Sequence, residues 1–457
     1  MRIVIEGAGE IGSHLAKMLS SATNEVTVID SSEERLDRLA SNADIITIVG
    51  RYSSIKAMKE ARVEKSDLFI GVNPAASQDM NIVSALLAKR LGCPRVCARI
   101  NDEDYLSYEN KHIFTEMGLD LMFYPEKISA LEIADHLKHS GSVEAMDFAR
   151  GKLQIAVFKL EEDSPILDLK LAEFSAVLSG VQFRVVAISR DNKTMMPRYD
   201  TVFKYHDIVY LIAKREDLPA ITQYLGKNSI EVNNVMILGG GSTAEMLAKA
   251  VSPHLETIKI IEKDLARCEE LNETTPKNVY VVNGNGRDSD FLLEESIKKY
   301  DAFVSLTESD EANILACLAA KKFGIPKTIA KVENIEYIHL AEEIGVDHII
   351  NKKLLSAAKI FKLTLSSRLR LIRYMSGTQT EVLEYIVAED SPITKKPLKD
   401  IVFPANAVVG GVIRGGEAFI AVGDTRIETY DRVAVFALQE AVAEVDKLFR
   451  SEHEKSK

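Results

Sequence analysis

The chain has 457 residues, 46% of them hydrophobic and 27% charged, a balance that excludes a disordered chain. Lys and Arg total 57 against 68 Asp and Glu, a net charge of −11, which argues against duplex nucleic acid as the main partner because phosphate binding needs local positive charge. No apolar run approaches the roughly 18 residues needed to span a bilayer, and at roughly 150 residues per domain the length suggests about three domains.

In chain order, Met1 and Arg2 lead into Ile3, Val4 and Ile5, and Glu6 ends the run before a cluster of glycines. That run is too short for a secretory signal. Ile11–Leu19 has helical spacing, Glu25–Ile29 is short and β-branched, and Ile45–Val49 and Asp67–Val72 are further short apolar runs. Met80–Leu91 reads helical again. Short apolar runs separated by helical stretches predict a parallel sheet covered on both faces. From Leu153 the pattern changes. Leu153–Leu160, Val181–Ser189 and Asp207–Ala213 are β-rich, with Asp191-Asn192 as turn residues, and predict a small α+β module.

A polar seam at Gly226–Asn234 follows, and then the plan starts again. MRIVIEGAGEIGSHLAKML resembles NNVMILGGGSTAEMLAKAV, placing Gly7 on Gly239 and Asp30 on Glu262, both 232 residues apart (239 − 7 and 262 − 30). The same offset carries Asn81 in DMNIVSALLAKRLG onto Asn313 in EANILACLAAKKFG, and Arg99 onto Lys331. Gly50 pairs with Gly284 after a two-residue insertion, and EEDSPILDLKL resembles AEDSPITKKPL. The second small module recurs at Val382–Ala388, Ala407–Arg414 and Arg432–Ala437. The fold class is therefore α/β, with two tandem Rossmann-like lobes at 1–140 and 232–376, each followed by a small α+β lobe at 141–226 and 377–457. Leu354, Ala358, Phe361, Leu365, Leu369 and Ile372 recur at steps of three and four, which predicts one long helix with an apolar stripe packed on its own or a neighbouring subunit.

The chemistry sits at the glycines. Gly7-Ala8-Gly9-Glu10-Ile11-Gly12 is G-x-G-x-x-G between a strand and a helix. Gly7 permits the tight turn, Gly9 lets a pyrophosphate approach the backbone, and Gly12 lets helix and strand pack closely. The helix N-terminus offers free N–H groups and the positive end of a dipole. Asp30, 21 residues after Gly9 (30 − 9), can accept ribose hydroxyls and would repel a 2′-phosphate, which favours NAD or a simple adenine nucleotide over NADP. The second half offers Gly239-Gly240-Gly241-Ser242-Thr243-Ala244 with Glu262, where Lys263 softens that preference.

Arg99 ends an apolar strand and could fork onto phosphates or make an ordinary ion pair, and Lys331 is its point-charge counterpart. Gly50 and Gly284 face the same crevice as room for base or ribose, or as plain turns. Asn73, with Pro74, and Thr307 follow the fourth strand of each lobe, near the point where strand order should reverse.

Other constellations are weaker. Cys93 and Cys97 read as buried thiols rather than half a zinc site, and four cysteines make no disulfide framework. His136 and His139 read as a solvated helical face, and no G-x-x-x-x-G-K-[ST] loop is present.

A dehydrogenase needs an acid or base held against the nicotinamide, and the small modules offer one histidine in the first half, His206, and none in the second. Two cofactor lobes without an evident catalytic lobe read as a ligand sensor, with an NAD-dependent oxidoreductase as the alternative.

The order of lobes, the glycine loops, Asp30 and Glu262, the DMNIVSALLAKRLG and EANILACLAAKKFG helices and the Ser-Pro segments resemble, nearly end to end, the TrkA family. These are RCK/KTN-type regulatory subunits of Trk potassium-uptake systems. The resemblance implies a non-enzymatic subunit binding NAD(H), with ATP or ADP as further ligands. It implies a homo-oligomeric, tetrameric ring, cytoplasmic and peripheral on the inner face of the membrane, that gates a membrane-embedded Trk-type potassium transporter. It places Arg99 at a basic nucleotide contact. A gating ring of a different potassium channel or antiporter would share the plan.

Overall fold

In a computed structural model of the chain, the described residues are 1–20, 24–73, 78–138, 144–148, 151–191, 193–225, 231–361, 369–374 and 380–451. The apolar runs of the first half become β1 (Arg2–Glu6), β2 (Glu25–Asp30), β3 (Ile46–Val49), β4 (Leu68–Gly71), β5 (Val96–Arg99) and β6 (Leu121–Phe123). They pair in parallel in the order β3-β2-β1-β4-β5-β6. Helix Glu10–Ser20 covers one face through buried Ile11, Leu15, Ala16 and Leu19. Strand order reverses between β1 and β4, which opens a crevice beyond their carboxyl ends.

The first small lobe is antiparallel: β7 (Glu144–Phe148), β8 (Leu153–Lys159), β9 (Phe183–Arg190), β10 (Lys193–Met195) and β11 (Ile208–Lys214), ordered β10-β9-β11-β8-β7. The second half repeats both architectures. Its parallel sheet is β12 (Asn234–Leu238), β13 (Thr257–Glu262), β14 (Val279–Asn283), β15 (Ala302–Ser305), β16 (Lys327–Lys331) and β17 (His348–Ile350), ordered β14-β13-β12-β15-β16-β17. Its antiparallel sheet is β18 (Leu369–Tyr374), β19 (Thr380–Ile386), β20 (Ala407–Arg414), β21 (Glu417–Ile420) and β22 (Arg432–Leu438), ordered β18-β19-β22-β20-β21. Among the described residues no helix is long and apolar enough to cross a membrane.

The chain forms two compact units, 1–130 with 351–364, and 131–350 with 365–457. In the first unit, helix Lys352–Phe361 packs on helix Glu10–Ser20 and buries Ala357, Ile360 and Phe361. The long helix expected from the apolar stripe ends there. Leu365 lies outside the described residues, and Leu369 and Ile372 belong to β18, paired antiparallel with β19. The three-and-four spacing ran across a change of element, and the backbone ladder with β19 decides the conformation of the later part. In the second unit, the end of helix Pro125–Lys138 lies on the second parallel sheet. Lys327 Nζ donates to the His136 carbonyl, and the His136 ring stacks on His348 with centroids 4.6 Å apart. His136 is therefore packed, not on the solvated face its polar surroundings suggested, and His139 lies outside the described residues.

Within the second unit the two small sheets face one another. Phe148, Leu153, Ile155, Tyr210 and Ile212 of the first share a core with Val382, Ile413, Ala434 and Phe436 of the second. Gly410 and Gly411 allow the approach, since a Cβ on Gly410 would lie 2.6 Å from the Phe436 ring and one on Gly411 2.7 Å from Leu153 Cδ1. Arg184 Nη1 donates to the Ala421 carbonyl at 2.6 Å at the same face. Each small lobe also carries a forked ion pair. Arg190 Nε and Nη2 reach the wholly buried Asp207 carboxylate at 2.7 and 2.8 Å, and Arg414 reaches Asp431 at 3.0 and 2.8 Å.

Candidate nucleotide sites

In the first lobe, β1 ends at Glu6 and the chain turns sharply at Gly7, whose φ is +116°. Gly7 N–H donates to the Ile29 carbonyl at 2.8 Å, and a Cβ there would meet Asn73 Oδ1 at 2.9 Å, so the turn admits only glycine. Gly12 sits where a Cβ would run into the Gly7 carbonyl, so its absence lets helix Glu10–Ser20 cross the end of β1. Gly9 differs: a Cβ there would find nothing within 4 Å. Glu10 and Ile11 open the helix, with Ile11 turned into the core.

Asp30, at the end of β2, is wholly buried. Its Oδ2 accepts the Ala8 N–H at 2.6 Å and its Oδ1 the Ser32 N–H at 2.8 Å, with the Tyr52 hydroxyl 3.4 Å from Oδ2. The carboxylate thus ties the glycine loop to β2 and keeps spare acceptor capacity. The second lobe repeats the latch. Gly239 has φ +97° and donates to Ile261 O at 2.8 Å. Gly240 N–H donates to Glu262 Oε2 at 2.6 Å, and Asp264 N–H to Glu262 Oε1 at 2.9 Å. A Cβ on Gly241 again meets nothing within 4 Å, and Ser242 and Thr243 open helix Ser242–Val251. Arg267, which the motif reading missed, donates through Nε to the Gly240 carbonyl at 2.8 Å and pairs through Nη2 with Glu245 at 2.6 Å.

The far walls are also duplicated. Asn81, wholly buried on helix Gln78–Leu91, accepts the Asn73 N–H at 2.9 Å and donates to the Arg99 carbonyl at 3.0 Å. Asn313 accepts the Thr307 N–H at 2.9 Å and donates to the Lys331 carbonyl at 2.8 Å. One asparagine per lobe therefore pins the ends of the fourth and fifth strands, a role the repeat alignment flagged without assigning. Pro74 lies outside the described residues.

Arg99 Nη2 stands 3.5 Å from Glu126 Oε1, and Lys352 Nζ lies 3.3 Å from the same oxygen. Arg99 Nε and Glu126 Oε2 are buried without a hydrogen-bond partner. Lys353 Nζ stands 3.9 Å from Glu10 Oε2 at the glycine loop. Gly50 and Gly284 have a packing reason to be glycine: a Cβ on Gly50 would lie 2.6 Å from Ala57 Cβ, and one on Gly284 would strike the Phe291 ring.

Glu6 was not singled out by its motif. It is wholly buried, with Oε1 accepting the Ser53 N–H at 3.0 Å and Oε2 without a partner. Burial pushes its carboxyl up to about 7. All four cysteines are buried, and burial raises the Cys93, Cys97, Cys268 and Cys317 thiols. Among the described residues no three His, Cys, Asp or Glu side chains gather into a metal-holding group.

The TrkA-N domain matches residues 3–125 and 235–352, and the TrkA-C domain matches 155–226 and 382–450. The chain belongs to the TrkA family. The Trk system potassium uptake protein TrkA homolog of Archaeoglobus fulgidus is 32% identical over 452 residues, covering 98% of this chain and all of that protein. TrkA of Halomonas elongata is 29% identical over 455 residues, covering 98% and 99%. Among solved structures, the GsuK channel bound to NAD shares the fold with a TM-score of 0.61 at 15% identity, covering 98% of this chain and 78% of that one.

Proposed function

We propose that the chain is a nucleotide-sensing regulatory subunit of a potassium-uptake system, not an enzyme, and that it binds NAD(H), with ATP or ADP as competing ligands, at both glycine loops. The observation that carries this reading is the duplicated latch, in which a second-strand carboxylate, Asp30 or Glu262, grips the N–H of the loop's second residue at 2.6 Å. The latch orients the loop, and the open space at Gly9 and Gly241 leaves backbone N–H groups and two helix N-termini for phosphates. The acceptor capacity left on Asp30 and Glu262 suits ribose hydroxyls, and Arg99 and Lys331 supply positive charge at the fifth strands. Gly7, Ala8, Gly9, Glu10 and Gly12, with Ile11 through its backbone alone, and Asn73 would form the first site's rim. Gly239, Gly240, Gly241, Ser242, Thr243 and Thr307 would form the second, with Gly50 and Gly284 backing the two.

Sensing needs only differential affinity: a ligand that prefers one arrangement of the assembly shifts its population. The assembly is a ring, with a tetramer of chains as its form, on the inner face of the membrane, bound to a Trk-type transporter. That the NAD-bound channel GsuK shares the fold supports this reading. The test is calorimetric titration with NADH, NAD, ATP and ADP of the wild type and of Asp30→Ala and Glu262→Ala, followed by potassium flux with a reconstituted Trk-type membrane subunit. Saturable binding lost site by site, with flux that follows occupancy, is expected. No binding of any of the four nucleotides would sink the proposal.

A further inference from the structure

The first lobe buries a carboxyl that its repeat does without. The offset of 232 that aligns the glycine loops sets Glu6 on Leu238 and Ser84 on Ala316. Leu238 and Ala316 share an ordinary apolar core in the second lobe. The same fold therefore fills this place with hydrocarbon, and architecture alone does not call for a buried acid there. Burying an ionisable group is costly unless its hydrogen bonds are met, and here they are met only in part, with the Ser53 N–H on Oε1. Glu6 Oε2, Ser84 Oγ and both amide atoms of Asn73 are wholly buried without a hydrogen-bond partner.

The cluster lies directly under the candidate phosphate loop. Glu6 is the residue before Gly7, and a Cβ on Gly7 would come within 2.9 Å of Asn73 Oδ1. Each packed element contributes a facing group. Helix Gln78–Leu91 presents Ser84, the segment after β3 presents the Ser53 N–H, and the segment after β4 presents Asn73, all three favouring the charged carboxylate. The end of β2 presents Asp30, whose negative charge opposes it. Burial is the largest influence and favours the neutral acid.

We propose that Glu6 is a positioning residue of the first nucleotide site, a buried carboxyl that takes up a proton when an anionic nucleotide occupies the glycine loop and so makes that site, but not the second, proton-linked. The proposal rests on the nucleotide-binding reading above. The reasoning is Coulombic: pyrophosphate charge placed over a poorly solvated carboxylate penalises its ionised form. A neutral Glu6 also gains an O–H that can donate to the Asn73 side-chain oxygen, an acceptor with no donor at present. The acid, already poised near neutrality, needs only a small further push. The second site, with Leu238 in the same place, binds without it.

The experiment is calorimetry with NADH, whose phosphodiesters do not titrate near neutrality, on the full chain in buffers of different ionisation enthalpy. Gly241→Ala weakens the second site and Gly9→Ala the first, each by about 5- to 150-fold, so that NADH kept below the weakened Kd fills mainly the intact site. With Gly241→Ala, proton uptake on binding is expected at about pH 7, with Kd rising by up to about tenfold per pH unit above it. Adding Glu6→Gln, or Glu6→Leu should the amide variant fail to fold, abolishes the uptake and flattens the pH profile. The Gly9→Ala protein shows no uptake while NADH stays below its weakened first-site Kd. NADH binding at the first site without uptake, or uptake that survives both Glu6 substitutions, overturns this proposal and leaves the nucleotide reading intact. No NADH binding to any form overturns both.

Discussion

The sharpest test of the first site is Gly9→Ala, because the local geometry separates its effects on folding and on binding. An alanine Cβ at Gly9 meets nothing within 4 Å, and Gly9 lies outside the left-handed region that would strain it. The Gly9 carbonyl accepts the Ser13 N–H at 2.8 Å at the start of helix Glu10–Ser20, and alanine preserves that bond. At a helix N-cap, alanine is less favourable than glycine by up to about 1 kcal/mol. Restricting the unfolded chain returns about 0.4–1 kcal/mol. The two nearly cancel, so the melting temperature should move by no more than about 4 °C.

A nucleotide pyrophosphate lying against this backbone meets the new methyl. Forcing extra atoms into a close-packed contact costs about 1–3 kcal/mol, which is about a 5- to 150-fold rise in Kd. Gly12→Ala supplies the contrast, since its Cβ strikes the Gly7 carbonyl and lies 3.0 Å from Val72 Cγ2, so the fold itself should lose at least 1–3 kcal/mol by the same reasoning. Differential scanning calorimetry and NADH titration of both variants decide the matter. A Gly9→Ala protein that melts normally and binds NADH like the wild type at the first site would refute the placement of phosphates on this loop. One that fails to fold would refute the account of the backbone. Gly9→Ala is cleaner than Asp30→Ala, because the Asp30 carboxylate also holds the loop through Ala8.

Glu6→Gln should change stability with pH in a defined direction. The Glu6 carboxyl is raised from 4.5 to about 7, so its contribution is complete below about pH 4.5 and is lost as pH rises through about 7, about 3 kcal/mol in all. The variant's melting temperature should therefore gain on the wild type between about pH 5 and about pH 8, and parallel pH profiles would contradict it. Asp207→Asn breaks the fork to Arg190 at a wholly buried position and should cost about 3 kcal/mol in urea denaturation, with Asp431→Asn costing a similar amount through Arg414. Phe436→Ala opens a cavity between the two small sheets and should cost about 3–5 kcal/mol. A loss under about 1 kcal/mol would mean that the sheets close over it.

Much of this architecture was legible because it depends on local pattern. Apolar runs with no polar face read as buried parallel strands, and glycines between a strand and a helix read as a tight turn. The repeat doubled every such signal, so Asp30 and Glu262 supported one another. What was not legible depends on distant partners. The helix Lys352–Phe361 packs on helix Glu10–Ser20, more than three hundred residues away, and its own apolar spacing carries no address. Leu369 and Ile372 continued a helical period while their backbone was claimed by β19. Gly50 and Gly284 read as ligand room or plain turns, and the close packing of Ala57 and the Phe291 ring that bars a side chain there was not visible in the sequence. The polar setting of His136 hid a ring that stacks on His348. Glu6 read as the end of an apolar run, and only the folded crevice reveals a carboxyl with one oxygen bonded and the other orphaned.

The two halves keep one device and tune it differently. Glu262 has one methylene more than Asp30, yet both place an oxygen 2.6 Å from the loop N–H. The loop's second residue is steadied in the first lobe by Tyr52 on the Asp30 carboxylate, and in the second by Arg267 on the Gly240 carbonyl. A sensor built from such sites faces an arithmetic limit. A tenfold preference at one site contributes about 1.4 kcal/mol, so two sites on one chain contribute about 2.8 kcal/mol. Moving an assembly from one state to the other takes about 5.5 kcal/mol of differential binding. Under the proposed function, a lone chain with modest preferences cannot switch decisively, whereas two or more chains coupled in one ring can. Proton linkage at the first site alone adds a second input without changing the latch, because Leu238 leaves the other site's affinity independent of it.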